Sequence, residues 1–565
     1  MKLNKLFVLS ISCLTLFSCS NKKDDFSNDK NIQLLLSGNK GGSIKLYSNE
    51  ILLDEFDDLE FNKSYEFKKG TEINVKVSQS EGFFINSINY NEDKVKIDGQ
   101  FYTFILNEDI NKLDIKFSLI ETNIDDFSFE FNEENKEAYI TNYSSNNTPS
   151  PLIIPEEING YKVTKIKETA FDNTSIKRIK LGNNINNIED GAFKNASSLT
   201  YFITDNNPIY KAIDGILYNS DQTTLISVPS KYENSELKIN SNTKFINDYA
   251  LYTNRTIKNV IFNDSLEKIG KYAFYNVNSI EELTFPSSLI TIDDYTFKQN
   301  TVLKTINFNQ NLQYINSNAF YGCIKIRKLV FPNSLKEIGN DAFYHCDYLS
   351  DIKFNEGLVK IGDRAFSNLT SLINIEFPST LKSIGSSSFS ACSNLKTINL
   401  SNIETIGNYA FVLCNSINKI NIPKTIKSIG FNPFYGILHL DASTFTIEEN
   451  NNYIINDGVL FSKDKTKLIS YPYGIKNTNY IIPSSVTILD NQCFAFNNSL
   501  ASIELPTSVT KIDETFYGVT SPLVINYNGT IEEFNLINKE GSNGYSYYEG
   551  SNIKKINCTN GTINL

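Results

Sequence analysis

The stretch IRKLVFPNSLKEIGNDAFYHC, residues 326–346, is one complete copy of a pattern that fills most of the chain. Its apolar residues stand at fixed places, and the phenylalanine at position 343 recurs at an almost constant interval. The recurring phenylalanines are 23 residues apart, with one interval of 22: Phe274, Phe297, Phe320, Phe343, Phe366, Phe389, Phe411 and Phe434. Self-similarity at such a period is typical of repeat architectures.

The spacing inside one copy indicates two short strands and a turn. Leu329 and Phe331 have the period of two that is expected of a strand with one buried face. A second extended piece ends at Gly339, where a residue without a Cβ atom suits a sharp corner. The pair Ala342-Phe343 is then expected in a short helical turn. Because one copy cannot bury its apolar side chains alone, we predict a stack of copies with strands about 4.8 Å apart.

The same register extends outward and is interrupted twice. Five more positions bring the number of copies to 13: Phe171, Phe193, Leu251, Phe494 and Phe516. Two longer gaps, of 58 and 60 residues, contain related inserts near 205–235 and 447–476. Each insert has an Asp-Gly pair between apolar runs, which is a hairpin signal. We therefore expect two β-hairpins that project from the stack.

The repeat unit, best seen in residues 326–346, resembles the leucine-rich repeats of BspA-like surface proteins. The resemblance implies a right-handed leucine-rich-repeat solenoid over residues 121–565. The expected fold class is mainly β with short helical turns, with a small all-β domain before the solenoid. Since BspA-like proteins are associated with adhesion to matrix components, the resemblance also implies a binding function. Fold alone does not establish such a function.

The first 30 residues have the features of an export signal and a tether. Lys2 and Lys5 precede an apolar run, so residues 1–19 are predicted to be a secretion signal. The run ends in Leu-Phe-Ser-Cys19, which resembles the lipobox of bacterial lipoproteins and implies acylation of Cys19. The protein would then be a membrane-anchored lipoprotein that faces outside the cytoplasm. The alternative is an ordinary secretory signal with a chance cysteine. Residues 20–30 are polar and are expected to be a flexible tether.

Residues 31–120 lack the 23-residue pattern and contain strand-like runs between polar turns. They predict a small all-β domain. Parts of it weakly resemble the divergent repeats of internalin-type surface proteins, and an Ig-like sandwich is the alternative. Either would act as a spacer between the anchor and the solenoid.

Composition argues against several classes of partner and of chemistry. The net charge of −11 disfavours nucleic acid, whose binding depends on lysine and arginine. The two histidines, His345 and His439, are isolated, and the sequence has no Cys-x-x-Cys spacing, so neither a metal site nor a cofactor is expected. No nucleophile or carboxylate pair has the spacing of a catalytic site, and we therefore do not expect an enzyme.

Four cysteines occupy one repeat position, three residues after the phenylalanine: Cys323, Cys346, Cys392 and Cys414. They could form a ladder of disulfides or metal ligands. The alternative is a column of small buried side chains. Side chains at the same position of stacked copies point in parallel, which is poor disulfide geometry, so the buried column is favoured.

The outward side chains of the first strand in each copy form the candidate binding surface. They make a polar strip of mixed charge, and the candidate ligand-binding residues are Thr305, Asn307, Lys328, Asp351, Lys353, Asn374, Glu376, Asn399 and Asn421. Solenoids commonly bind along such a surface. The alternative is that these residues only keep the sheet soluble. A row of tyrosines beside the repeat phenylalanines could stack on sugars or pack on the outer side of the coils.

These features together predict a lipid-anchored binding protein of the cell surface. We expect an adhesin that recognises an extracellular protein or glycan of a host or neighbouring cell. The alternative is a structural or assembly protein of the cell envelope without a host ligand.

Overall fold

The computed structural model describes residues 31–57, 59–80, 83–119, 122–145, 148–539 and 550–565. The predicted secretion signal, the lipid attachment at Cys19 and the tether at 20–30 lie outside the described residues. The chain divides into two compact units at residue 121. In the described parts of both units, the structure contains no apolar helix long enough to cross a membrane.

The described residues of the first unit form nine strands in two sheets. They are β1 (Asn31–Gly38), β2 (Gly42–Ser48), β3 (Ile51–Asp57), β4 (Phe61–Lys68), β5 (Thr71–Gln79), β6 (Phe83–Tyr90), β7 (Asp93–Lys94), β8 (Phe101–Leu106) and β9 (Ile110–Leu119). The strand orders are β4-β1-β9-β6-β7 and β3-β2-β5-β8. Alternate side chains of both sheets, such as Leu34 and Val75, share one apolar core.

The second unit begins with a 3₁₀ helix, Ile124–Asp126, and a first segment of coils. Its strands are β10 (Phe127–Asn132), β11 (Glu137–Tyr143), β12 (Leu152–Ile153), β13 (Glu157–Ile158), β14 (Tyr161–Ile166), β15 (Arg178–Lys180), β16 (Asn187–Ile188) and β17 (Tyr201–Ile203). The hairpin of β10 and β11 pairs in parallel with β14 and so starts the stack. Phe171 and Phe193 stack inside this segment, with ring centroids 5.4 Å apart.

The middle segment contains the most regular coils. Its strands are β18 (Tyr210–Ile213), β19 (Ile216–Asn219), β20 (Thr224–Ser227), β21 (Glu236–Lys238), β22 (Phe245–Ile246), β23 (Asn259–Ile261), β24 (Lys268–Ile269), β25 (Glu282–Thr284), β26 (Thr291–Ile292), β27 (Thr305–Asn307), β28 (Tyr314–Ile315), β29 (Lys328–Val330), β30 (Glu337–Ile338), β31 (Asp351–Lys353), β32 (Lys360–Ile361), β33 (Ser383–Ile384), β34 (Thr405–Ile406), β35 (Ile420–Ile422), β36 (Ser428–Ile429) and β37 (Phe445–Ile447). Most coils have a first strand of three residues and a second strand of two. The second strands join β18, β19 and β20 in one twelve-stranded sheet.

The last segment repeats this arrangement and closes the chain. Its elements are β38 (Tyr453–Asn456), β39 (Val459–Ser462), β40 (Lys467–Ser470), β41 (Asn479–Ile481), β42 (Ile488–Leu489), β43 (Ser502–Leu505), β44 (Lys511–Ile512), β45 (Leu523–Tyr527), α1 (Ile531–Leu536), β46 (Ile553–Cys558) and β47 (Gly561–Asn564). Helix α1 has a capping box in which Thr530 and Glu533 exchange hydrogen bonds.

The repeat phenylalanines form one buried column, as the 23-residue interval predicts. From Phe274 to Phe411 successive ring centroids are 5.0–5.5 Å apart, and the planes differ by at most 26°. Each ring in this run has 0–1% of its surface exposed. The prediction of a β-solenoid made of stacked coils is therefore confirmed.

The expected helical turns are hydrogen-bonded turns and not continuous helices. Within one turn the amide of Tyr321 donates to the carbonyl of Asn318. The intervening amides instead donate to the next coil, as that of Phe320 does to the carbonyl of Ala342, at 2.8 Å. Amides that donate within the coil thus alternate with amides that donate to the next coil, and the backbone has positive φ at Asn318 and Gly322 in this turn. The turn side of the solenoid therefore has its own backbone ladder.

The glycines that end the second strands are needed because neighbouring coils approach closely. A Cβ atom on Gly362 would lie 2.6 Å from the carbonyl carbon of Gly339 and 2.7 Å from the amide nitrogen of Asn340. Real Cβ contacts are not this short, so a larger residue must push the coils apart.

The two inserts contain the predicted hairpins, but they do not project from the solenoid as expected. Strands β18 and β19 pair antiparallel, and β20 then joins the ladder of second strands. Three consecutive residues of β19 are buried: Ile216 and Tyr218 pack in the core of the middle segment, whereas Leu217 packs in the core of the first segment. Strand β39 separates the middle and last cores in the same way. We call β19 and β39 the septum strands.

Each insert starts with an Asn-x-x-Tyr sequence that closes the preceding ladder. The amide of Asn207 donates to the carbonyls of Gly182 and Ile185, and its oxygen accepts from the backbone of Ile209 and Tyr210. The phenol of Tyr210 accepts the Ile188 amide, at 2.9 Å. In the second insert the corresponding residues, Asn450 and Tyr453, make the same kinds of bonds. The two residues thus take the place of a missing next coil.

Candidate ligand-binding surface

The structure places the nine predicted strip residues on the exposed side of the first strands or on the coil segments that continue this side. Thr305 and Asn307 lie on β27, Lys328 on β29, Asp351 and Lys353 on β31, and Asn421 on β35. The others, Asn374, Glu376 and Asn399, lie on two coils that are joined by a single bridge from Asn374 to Thr397. All nine side chains are exposed. They therefore lie along one side of the middle segment, available to solvent.

Several strip side chains bind one another across coils. Asn307 donates to Glu282 at 2.8 Å and to Thr284 at 3.0 Å. Lys328 pairs with Asp351 at 2.8 Å, and Asn421 donates to Glu448 at 3.3 Å. Some strip residues therefore also link neighbouring coils, a role that neither sequence-based interpretation of the strip included.

The first strands pair two by two, in contrast to the continuous ladder that stacking predicts. Strand β25 pairs with β27, and β29 pairs with β31. In the part of the chain that the structure describes, no backbone hydrogen bond joins β27 to β29 or β23 to β25. The strip is thus divided by a gap after every second coil.

An alternation of asparagine and proline accounts for this pairing. The residue that follows the first-strand phenylalanine is, in successive coils, Asn263, Pro286, Asn309, Pro332, Asn355 and Pro378. Each asparagine donates its amide to a carbonyl of the coil before it, as Asn309 does to Leu289 at 2.9 Å. Proline has no polar side chain and no N–H. In this run of the middle segment, each coil with proline therefore leaves a gap toward the coil before it. The last segment differs, because there the coil of Pro506 pairs with the coil before it through β41 and β43.

Two of these gaps open into shallow grooves. The groove between β27 and β29, of about 600 Å³, is lined by Lys304, Thr305, Ile306, Asn307, Phe308, Gln310, Lys325, Arg327, Lys328, Val330, Phe331, Pro332 and Asn355. We call it the basic groove. The groove between β23 and β25, which we call the mixed groove, is lined by Lys258, Asn259, Val260, Ile261, Phe262, Ser279, Glu281, Glu282 and Thr284. The sequence pattern predicted neither groove, although the Asn/Pro alternation was visible in it.

Two tyrosines of the predicted row, Tyr249 and Tyr272, pack their ring faces together with Tyr295. Tyr249, Tyr272 and Tyr295 stack with centroids 5.1 and 4.6 Å apart. Lys194 lies over Tyr249 at one end and Lys298 over Tyr295 at the other, at 5.2 and 5.1 Å. Burial raises the pKa of Tyr272 to about 12. The three rings cover one another's faces, and the two lysines lie over the end rings, which favours the packing interpretation over stacking on sugars.

The cysteine column is buried and chemically protected. Each thiol donates to a phenylalanine carbonyl of the preceding coil, as Cys346 does to Phe320 at 3.4 Å. Burial raises the pKa of Cys323 to about 12. The cysteines of the described residues are free thiols, which agrees with the small buried column.

Neither histidine belongs to a cluster of three or more ligating side chains in the described part of the chain. His345 and His439 are both exposed, and Nδ1 of His345 lies 3.5 Å from Asp347. Within the described ranges, no group of three or more His, Cys, Asp or Glu residues is placed to hold a metal ion.

A family model matches the repeat region. The model of the BspA-type leucine-rich repeat region matches residues 137–235, 230–350, 336–466 and 471–537, which together make up more than half of the chain. A search of curated protein sequences found no match.

Solved structures of bacterial leucine-rich-repeat proteins are also similar. A leucine-rich repeat protein from Eubacterium ventriosum is 26% identical over 41% of this chain and 62% of its own length, with a TM-score of 0.38. A leucine-rich cell surface protein from Faecalibacterium prausnitzii is 20% identical over 74% and 98% of the two chains, with a TM-score of 0.35. A leucine-rich repeat protein from Bacteroides ovatus is 18% identical over 77% and 99%, with a TM-score of 0.39. Against the first of these proteins, the chain spans less than two thirds of the relative's length.

Proposed function

Because the chain belongs to the family of BspA-type leucine-rich-repeat proteins, we propose that it is an adhesin of the bacterial cell surface. It binds a protein or glycan of a host or neighbouring cell through the strip of its middle segment. The observation that carries the proposal is the row of nine exposed polar side chains on coils that a continuous core holds rigid. A rigid surface loses little conformational entropy on binding, which favours affinity.

The test is saturable binding of the labelled full chain to host cells and to immobilised matrix proteins. Lys353→Ala, on the strip, should weaken binding, because Lys353 is exposed on β31. Lys360→Ala is the matched control: it lies in the same coil but on a second strand, and it should bind as the unaltered chain does. Absence of saturable binding to all cells and matrix proteins would contradict the adhesin function.

A second candidate is a structural or assembly protein of the envelope without a host ligand. The observation in its favour is that strip residues such as Asn307 and Asn421 already bind neighbouring coils. In that case strip substitutions would lower stability and leave cell binding, if any, unchanged.

Lipid anchoring at Cys19 is part of the proposal and rests on the lipobox-like sequence alone. Metabolic labelling with a fatty acid tests it. Cys19→Ser should abolish incorporation of the label, whereas Cys13→Ser, in the same signal, should leave it unchanged. Two acyl chains would give stable anchoring, since one chain alone binds membranes only marginally. Label in the Cys19→Ser chain would refute the assignment.

A further inference from the structure

We propose that the basic groove binds an anionic polysaccharide that carries sulfate or carboxylate groups. This inference rests on the proposed surface-binding function and names the ligand class for one part of the strip. Four cations line the groove, Lys304, Lys325, Arg327 and Lys328, and within the described residues its lining includes no carboxylate. A cluster of cations in a concave site raises the local concentration of anions.

Two of the four cations have no carboxylate partner among the described residues. Lys325 and Arg327 both lie over the ring of Tyr348, with the Lys325 ammonium 4.9 Å and the Arg327 guanidinium carbon 5.5 Å from the centroid. A cation over an aromatic face is held in place and keeps N–H groups for other acceptors. Arginine in addition offers a planar fork that fits carboxylate and phosphate-like oxyanions. These two side chains are therefore the principal anion contacts.

The other two cations are paired, but only weakly. Lys304 binds Glu281, and Lys328 binds Asp351, each at 2.8 Å. All four of these side chains are more than half exposed, and exposed pairs contribute little. An anion in the groove can therefore compete with Glu281 and Asp351 for the two ammonium groups.

The remaining lining favours a carbohydrate over an acidic peptide. Thr305 and Gln310 add a hydroxyl and an amide, the groups that bind sugar hydroxyls. Among the lining residues, Val330 is the one large apolar side chain that is exposed in the described structure. Protein partners are usually held by aromatic or aliphatic side chains that are buried in apolar pockets. The shallow basic groove has no such apolar pocket among its lining residues.

Comparison with the mixed groove shows that a purely cationic lining is a property of the basic groove and not of every gap between first strands. It has the same origin, a gap before a proline coil, but its lining includes Glu281 and Glu282 beside Lys258. The chain as a whole carries a charge of −11, so long-range attraction cannot bring a polyanion to it. At physiological salt, charges beyond about 8 Å are screened, and the local cations decide the outcome.

The experiment measures binding of the full chain to dextran sulfate and to polygalacturonate, which distinguish sulfate from carboxylate recognition. Unsulfated dextran is the neutral control, and polyglutamate represents an acidic peptide. We expect saturable binding of at least one polyanionic polysaccharide that weakens as salt increases. The double variant Lys325→Glu/Arg327→Glu should bind at least about tenfold more weakly.

The matched control is Lys396→Glu. Lys396 has the repeat position of Arg327 three coils later, is exposed, and does not line the groove. It should retain the affinity of the unaltered chain. Equal losses in Lys396→Glu and in the double variant, equal binding of unsulfated dextran, or tighter binding of polyglutamate would each overturn the inference.

Competition by dextran sulfate in the cell-binding assay distinguishes failure of this inference from failure of the proposed function. Saturable cell binding that dextran sulfate does not compete with, together with no polysaccharide binding, would refute the anionic ligand and leave the adhesin function standing. Cell binding that the polyanion blocks would support both.

Discussion

Replacing Phe343 by alanine should open the centre of the solenoid and leave the first unit intact. The ring is fully buried and lies 5.3 Å from Phe320, 5.4 Å from Phe366 and 5.6 Å from Phe331, measured between centroids. A Phe→Ala change in a core that cannot collapse costs about 3–5 kcal/mol. The stacked coils above and below have their own backbone ladders, which limit collapse, so we expect a value in the upper half of this range.

The loss should be local, because each coil of a repeat protein contacts only its neighbours. Hydrogen exchange followed by mass spectrometry measures it directly: amides of residues 303–384 should exchange faster, and those of residues 31–57 and 59–80 should keep their rates, since the first unit has a separate core. Global unfolding curves alone are unsuitable, because long repeat arrays are not strictly two-state.

The matched control is Tyr314→Ala, which removes a similar ring from an exposed position on β28, where 40% of the residue is accessible. It should cost no more than about 0.5 kcal/mol. A loss below about 1 kcal/mol for Phe343→Ala, or equally faster exchange in the first unit, would refute the stacked-column explanation of stability.

Three further changes test other parts of the structure. Gly362→Ala should destabilise the middle segment by about 1–3 kcal/mol in thermal unfolding, because its Cβ would lie 2.6 Å from a neighbouring backbone carbon. Gly99→Ala, whose Cβ would have its nearest neighbours 4.0 Å away, should not destabilise the first unit, and equal losses in the two variants would contradict the reason given. Asn207→Ala should cost about 1–3 kcal/mol and expose the first insert to limited proteolysis, because the side-chain amide no longer donates to the carbonyls of Gly182 and Ile185. Unchanged proteolysis would contradict this reason. Stability should fall as pH rises from about 9 toward 12, because burial raises the pKa of Cys323 to about 12 and the unfolded chain therefore loses this proton first. Thermal unfolding of Cys323→Ala should show a shallower dependence over this window, and an identical slope would rule out the thiol as a cause.

The register of the core could be predicted from the sequence, because a buried column leaves an apolar residue at a fixed interval. Phe297 and its equivalents stack where the 23-residue period places them. The exposure of the strip followed from the same register, since residues on either side of a buried Ile306 must point outward.

Other features depend on signals that a period of 23 does not contain. The pairing of first strands follows a period of two coils, carried by residues such as Asn309 and Pro332. In the first unit, β4 has no clear alternation of buried and exposed side chains, so its apolar pattern was too weak to predict it. Nothing in the sequence distinguishes the groove cations Lys325 and Arg327 from other surface residues. Only the gap between β27 and β29 makes them part of the lining of one groove.

The sequence contains a signal for the burial of the insert strands on both faces. Ile216, Leu217 and Tyr218 are three consecutive large apolar residues, a pattern typical of strands that are covered on both faces. The Asp-Gly turn correctly indicated a hairpin but carries no information about where the hairpin packs.

The septum strands give the gene for this protein natural points of exchange. Since β19 and β39 each contribute side chains to the apolar cores on both of their sides, a block bounded by them ends on strands that it shares with its neighbours. Recombination at the two Asn-x-x-Tyr sequences would add, delete or exchange a whole block without leaving an apolar core exposed at its end. The number of blocks and the surface residues of the middle segment can thus change independently during evolution.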